Sequence, residues 1–156
     1  MTVIAGDMRR AAGFTLIELL VTIAVVAILA TVAVPNFQGI VERNRVAADY
    51  NEILAALHFS RSEAVKQREE VAASIYTDAD GWAVDIKVDS DGDGDLSDEA
   101  AIRSAYGGDD GVAVTGALIW FNELGRRESC SVSPCRIDVG GEVMEVNVAG
   151  NIAKVN

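Results

Sequence analysis

The chain has 156 residues, half of them hydrophobic, a formal net charge of −11, one histidine and two cysteines. Setting aside an apolar N-terminal run leaves about 120 residues, enough for one small soluble domain. The acidic balance disfavours nucleic acid as the main partner, and no nucleophile–base set, phosphate loop or transition-metal cluster points to an enzyme.

Residues 1–13 form a short head with Arg9 and Arg10 just before Gly13. Phe14 to Val34 then reads FTLIELLVTIAVVAILATVAV, long enough to span a bilayer. The basic head should stay cytoplasmic while the rest, where most of the acid lies, is exported. Glu18 interrupts the apolar run. A carboxylate in hydrocarbon costs roughly 2.5–3.5 kcal/mol on insertion scales, so it usually persists because something uses it. An ordinary secretory signal is a poor fit. Thr31-Val32-Ala33 is a passable cleavage site, but the run is long and Glu18 badly placed. A plain signal anchor tolerates the length and leaves Glu18 unexplained.

Pro35 is expected to kink or loosen the helix at its exit rather than end it. Beyond it Val46, Tyr50, Ile53, Leu54, Leu57, Arg61 and Val65 recur at three- and four-residue steps, with Glu42, Arg45, Asp49, Glu52, Glu63 and Arg68 opposite. The reading is a single helix of about 55 residues, roughly 80 Å long, apolar in its first half and amphipathic in its second. His58 lies in it as a surface or boundary residue, and Ser60 and Ser62 have no catalytic context.

After Val71 the period becomes that of strands. Ala72–Thr77 and Trp82–Val88 flank the turn 78–81, and Ile102–Tyr106, Val112–Asn122, Arg136–Val139, Val143–Val148 and Ile152–Val155 follow. A long helix followed by antiparallel strands is an α+β layout in which the helix stripe covers the sheet. Between the second and third strands runs DSDGDGDLSDE. Asp89, Asp91, Asp93 and Gly94 match the first half of a calcium loop. Asp95 could add a carbonyl and Asp98 or Glu99 could close the shell, although position 12 is Ala100 and no helices flank the loop, so this is not an EF-hand. The expectation is an irregular structural Ca²⁺ site, set against a solvated acidic turn. Cys130 and Cys135, in CSVSPC, are expected to form a disulfide in an oxidising exported compartment and pin a hairpin tip or loop. Arg126 and Arg127 read as a small basic patch or a solvated turn.

The string GFTLIELLVTIAVVAILATVAVP, with Gly13, Phe14, Glu18 and Pro35 in register, resembles the class III signal of type IV pilins and type II secretion pseudopilins. Residues 54–71, LAALHFSRSEAVKQREEV, resemble the helix of FimT/GspH-like minor pilins, residues 121–126 resemble a strand-end motif of the same group, and residues 146–152 resemble its C-terminal strand. The resemblance implies the type IV pilin-like fold, with three segments: a leader (1–13), a transmembrane and filament-core helix (14–38) and a globular periplasmic domain (39–156). It implies that prepilin peptidase cuts between Gly13 and Phe14 and that Phe14 is N-methylated. Cleavage would leave 143 residues, and losing Asp7, Arg9 and Arg10 takes the formal charge from −11 to −12. Glu18 would then pair with the new α-amine of a neighbouring subunit in a dry interior where unpaired charge is expensive. The implied partners are other pilins, through this helix, and the inner-membrane assembly platform. The implied location is the inner membrane, single-pass with a cytoplasmic N-terminus, and then a pilus or pseudopilus, near the tip, for assembly or priming. No organic cofactor is expected. A DNA- or substrate-binding receptor is the alternative, followed by a signal-anchored enzyme. Some relatives bind DNA through a Gly-Arg-x-Arg-like end, but this chain has Gly150-Asn151-Ile152-Ala153-Lys154 there, which keeps only Lys154.

Overall fold

The computed structural model describes residues 14–108 and 111–155. Gly13, with the rest of the expected leader, lies outside the described residues. Two compact units are present, Met1–Val41 and Glu42–Asn156.

Helix α1 (Leu16–Gln67) is continuous for 52 residues and passes through Pro35, as the periodicity predicts. Proline removes one backbone donor, yet the helix runs on through it. The helix stops where Arg68 takes a φ of 60° and donates its N–H to the Ala64 carbonyl at 2.9 Å. Glycine usually occupies such a left-handed closing position.

Within the second unit, α1 buries Ile53, Ala56, Leu57, Ser60, Glu63 and Ala64. The stripe is rotated from the one expected. Val65 is exposed, Leu54 and Arg61 are half-buried, and Glu63, expected on the solvated face, is buried. Small residues Ala56, Ser60 and Ala64 share the buried stripe with Ile53 and Leu57. Glu63 is tolerated because Lys66 Nζ donates to its Oε1 at 3.0 Å and Gln67 Nε2 to its Oε2 at 2.8 Å. Those two donors, the glutamine bond foremost, hold the Glu63 carboxyl below its ordinary pKa.

Five strands, β1 (Glu70–Asp78), β2 (Gly81–Asp89), β3 (Ala101–Gly107), β4 (Ala117–Phe121) and β5 (Arg127–Cys130), form an antiparallel sheet in the order β3-β2-β1-β4-β5. Strands β6 (Arg136–Val139), β7 (Glu142–Val146) and β8 (Ile152–Val155) form a second antiparallel sheet in that order. β5 is an element the sequence reading missed. Arg-Glu-Ser-Cys carries no apolar alternation because an edge strand with half-exposed faces needs none. Arg127 therefore belongs to a strand, not a turn.

The segment that leads into β4 bonds the second sheet through backbone: Thr115 N–H bonds the Asp138 carbonyl at 2.9 Å and Gly140 N–H the Ala113 carbonyl at 2.8 Å, while within the second sheet Val146 N–H bonds the Cys135 carbonyl at 3.0 Å. Between α1 and the strands lies one core that includes Ile53, Leu57, Ile86, Ile119, Phe121, Ile137 and Met144, none of them accessible to solvent. Each large aliphatic or aromatic side chain so buried contributes about 1.5–3 kcal/mol.

Candidate functional site

At the N-terminal end of the described chain, Phe14 is 86% exposed and Glu18 stands exposed in the first turn of α1. Thr15 precedes the helix, and its hydroxyl accepts the Glu18 N–H at 3.3 Å. Thr15-Leu16-Ile17-Glu18 is the Ser/Thr-x-x-Glu pattern of a capping box, in which the acidic side chain also favours the positive end of the helix dipole. The sequence reading overlooked this pattern, which was visible in those four residues. Residues 14–38 are exposed throughout, and α1 is long and apolar enough to cross a membrane. An apolar surface of this extent needs lipid or other protein around it.

The acidic loop follows β2. The structure gathers three of the six proposed ligands. One carboxylate oxygen each from Asp89, Asp91 and Asp93 lies within 4.8 Å of the others. Asp89 is only 6% exposed, and its two oxygens accept the N–H groups of Gly92 (2.9 Å) and Gly94 (3.0 Å). The left-handed φ of Gly92 and Gly94, 74° and 78°, folds the chain back over that carboxylate. Asp95 turns instead to the Ser97 N–H at 2.8 Å, which holds it below the usual aspartate range. Glu99 accepts from the Ser90 N–H (3.0 Å) and hydroxyl, stitching the two ends of the loop. Asp98 is not in the group of three, but its charge reaches Asp91. The Asp93 N–H lowers the Asp91 pKa, yet desolvation, the charges of Asp93 and Asp98 and the hydrogen bond that a protonated Asp91 donates to Asp89 outweigh it and raise Asp91 above its ordinary value. The one nearby lysine, Lys87, gives its ammonium to the Leu96 carbonyl at 2.7 Å. Three hard oxygen donors around an uncompensated negative charge suit a cation such as Ca²⁺. An open cavity of about 590 Å³ borders Asp89 and Asp91, with Arg68, Glu69, Glu70 and Asn122 on its other walls.

The three internal strings singled out in the sequence converge at another place. Asn122-Glu123-Leu124-Gly125-Arg126 joins β4 to β5, and Asn147-Val148-Ala149-Gly150-Asn151 joins β7 to β8. Both loops are built alike. The asparagine N–H bonds the carbonyl four residues on, and its side-chain oxygen accepts the N–H four residues on. Glycine supplies the left-handed fourth position, with φ of 69° and 78°. The loops pack on each other, since a Cβ on Gly150 would strike the Gly125 carbonyl oxygen. Arg61 of α1 donates to Asn151 Oδ1 at 3.2 Å, and Arg61 and Val65 lie against Gly125. These strings therefore lock helix to loops. His58 is exposed.

Cys130 and Cys135 form the expected disulfide, with their Cα atoms 5.9 Å apart. Of the two expected places, a hairpin tip or a loop, it pins a loop, residues 131–134. It ties the end of β5, in one sheet, to the residue before β6, in the other.

Known proteins align with the same features. Residues 8–34 match the family described as the prokaryotic N-terminal methylation motif, and residues 49–151 match the type II transport protein GspH family. Two fimbrial proteins of Pseudomonas aeruginosa are each 26% identical over 139 residues, spanning 83% of this chain and 88% of their own. The crystal structure of the type IV minor pilin FimU from Pseudomonas aeruginosa PAO1 superimposes with a TM-score of 0.53 at 25% identity, over 74% of this chain and 91% of that one.

Proposed function

Because the chain belongs to the GspH family and carries the N-terminal methylation motif, we propose that it is a minor subunit of a type IV pilus or type II secretion pseudopilus. The observation that carries this reading is the order of parts. A methylation motif runs into an exposed apolar helix with a single acid in its first turn, and that helix continues into a GspH-type domain.

In this reading prepilin peptidase cuts between Gly13 and Phe14, and Phe14 is N-methylated. The apolar half of α1 holds the subunit in the inner membrane with its globular part in the periplasm. On assembly that half packs among the helices of other pilins, near the tip, where the subunit helps to prime the filament. Glu18 meets the α-amine of a neighbour. Pairing neutralises two charges that would each be costly alone in a dry interior, so it favours one axial register. The role is structural: binding, ordering and register rather than catalysis. The acidic loop is given a structural Ca²⁺, held by Asp89, Asp91 and Asp93, which would neutralise their mutual repulsion.

Mass spectrometry of the chain purified from cells that contain prepilin peptidase tests the core of this reading. The expected N-terminus is methylated Phe14. An intact Met1, or a start at Val34, overturns it.

A further inference from the structure

Among the described residues, the outer face of β1–β3 leaves large side chains exposed. The registers Tyr76↔Ala83↔Tyr106 and Ser74↔Asp85↔Ser104, with alternation along each strand, put Tyr76, Asp78, Asp85, Ser104 and Tyr106 on the face opposite the core, and Ile102 lies at a bulge beside them. Their neighbours Ile75, Val84, Ile86 and Ala105 fill the core side. Tyr106 is 75% exposed, Ile102 45% and Tyr76 40%. Large apolar side chains exposed together mark interaction surfaces, and tyrosine is enriched there because it offers a rigid apolar ring with a polar end.

The charge on this face says what fits it. Asp85 lies in the row beside the two tyrosines. Its oxygens accept the Tyr76 hydroxyl at 2.9 Å and the Ser104 hydroxyl, and among the described ion pairs it has no cationic partner. Asp78 follows Tyr76 on the same face. The basic side chains of these strands are directed elsewhere. Arg103 points to the other side, its guanidinium 5.0 Å from the Phe59 ring centre and 3.6 Å from Glu52. Lys87, at the far end, is bound to the Leu96 carbonyl. The bond to Asp85, with added repulsion from the charges of Asp85 and Asp78, raises the Tyr76 phenol above its ordinary pKa, as a field of uncompensated negative charge should.

We propose that the outer face of β1–β3 docks another protein through an arginine or lysine that lies on Tyr106 or Tyr76 and bonds Asp85. An aromatic ring beside a carboxylate matches a guanidinium on its face and along its edge together. Anionic partners such as nucleic acid or acidic lipid are repelled by the same charges, and a lone metal ion would leave the rings uncovered. This surface is independent of the apolar helix and of the proposed filament role.

The full chain in neutral detergent micelles, with labelled tyrosine, is titrated at physiological salt with a short peptide alternating arginine and valine. The control is the same peptide with citrulline in place of arginine. The arginine peptide should shift the ring resonances of Tyr76 and Tyr106, and the citrulline peptide should not. Asp85→Asn and Tyr106→Ser should each weaken binding about tenfold. Tyr106 is exposed, so its replacement leaves the core intact. The double variant Glu42→Gln, Asp49→Asn, which removes twice as much charge elsewhere, should bind like the parent. Absence of tyrosine shifts, parental affinity in Asp85→Asn, equal weakening in the Glu42/Asp49 variant, or self-association of the chain through these tyrosines would each overturn the proposal.

Discussion

Glu18 has a local task and a proposed intermolecular one. Locally it closes the first turn of α1, where Thr15 accepts its N–H. Glu18→Gln keeps a capping side chain at the third helical position and removes only the charge. The expected outcome is unchanged helix content by circular dichroism and unchanged N-terminal processing, with the subunit lost from sheared filaments on immunoblot. Parental incorporation would reduce Glu18 to a helix cap. Gly150 is the second residue on which much rests, since its φ is +78° and a Cβ there meets backbone. Gly141 has a similar φ of +92° and open space around it. Gly141→Ala should cost about 1–2 kcal/mol, the conformational term alone. Gly150→Ala should cost more, because the two asparagine loops must also move apart. Equal losses of stability in urea unfolding would refute the lock between those loops.

At the scale of elements, the loop after β2 and the stripe of α1 show how charge is managed differently. Glu63 is buried with donors of its own, so its ionised form is stabilised. An acid with a depressed pKa adds stability above its unfolded pKa and loses it as pH falls through the folded one. Asp91 runs the other way. Its raised pKa means that ionisation works against the fold as pH rises, unless a cation is present. Adding Ca²⁺ to the full chain in detergent should therefore raise the melting temperature of the globular unit, and EDTA should reverse it. At a hundredfold excess over Kd the gain is about 2.7 kcal/mol. Asp89→Asn, which alters the most buried member of the trio, should abolish the response. An identical melting curve in Ca²⁺ and in EDTA would remove the calcium assignment.

Across the globular unit, stability depends on holding two sheets together. Their shared core does most of this, aided by the bonds from residues 113 and 115 to 138 and 140 and by the Cys130–Cys135 bridge. With a sequence separation of 5, the cysteines close a short loop, and the chain-entropy gain is about 2 kcal/mol. Reduction, or the double change Cys130→Ser and Cys135→Ser, should lower the melting temperature by that order without changing N-terminal processing. An unchanged melting temperature under reducing conditions would show that the backbone bonds and core suffice alone.

The sequence by itself determined the long helix, its apolar first half, most of the strands and the class of subunit. Those features are written in local periods and in one contiguous string from Gly13 to Pro35, which no folding is needed to read. It also supplied the loop acids and the cysteine pair as candidates. Tertiary structure decided the rest. It brought Ala56, Ser60, Glu63 and Ala64 into the buried stripe of α1 beside Ile53 and Leu57, because small residues and an acid with its own donors can be buried where hydrophobicity alone ranks them low. It divided the strands into two sheets and revealed β5, whose four residues have no apolar alternation to announce it. It selected Asp89, Asp91 and Asp93 from six acids, through backbone donors that only the folded loop brings near. And it brought residues 61, 125 and 151, far apart in the chain, into one lock, because contacts between distant segments are set by how the whole core packs and not by the residues beside them in sequence.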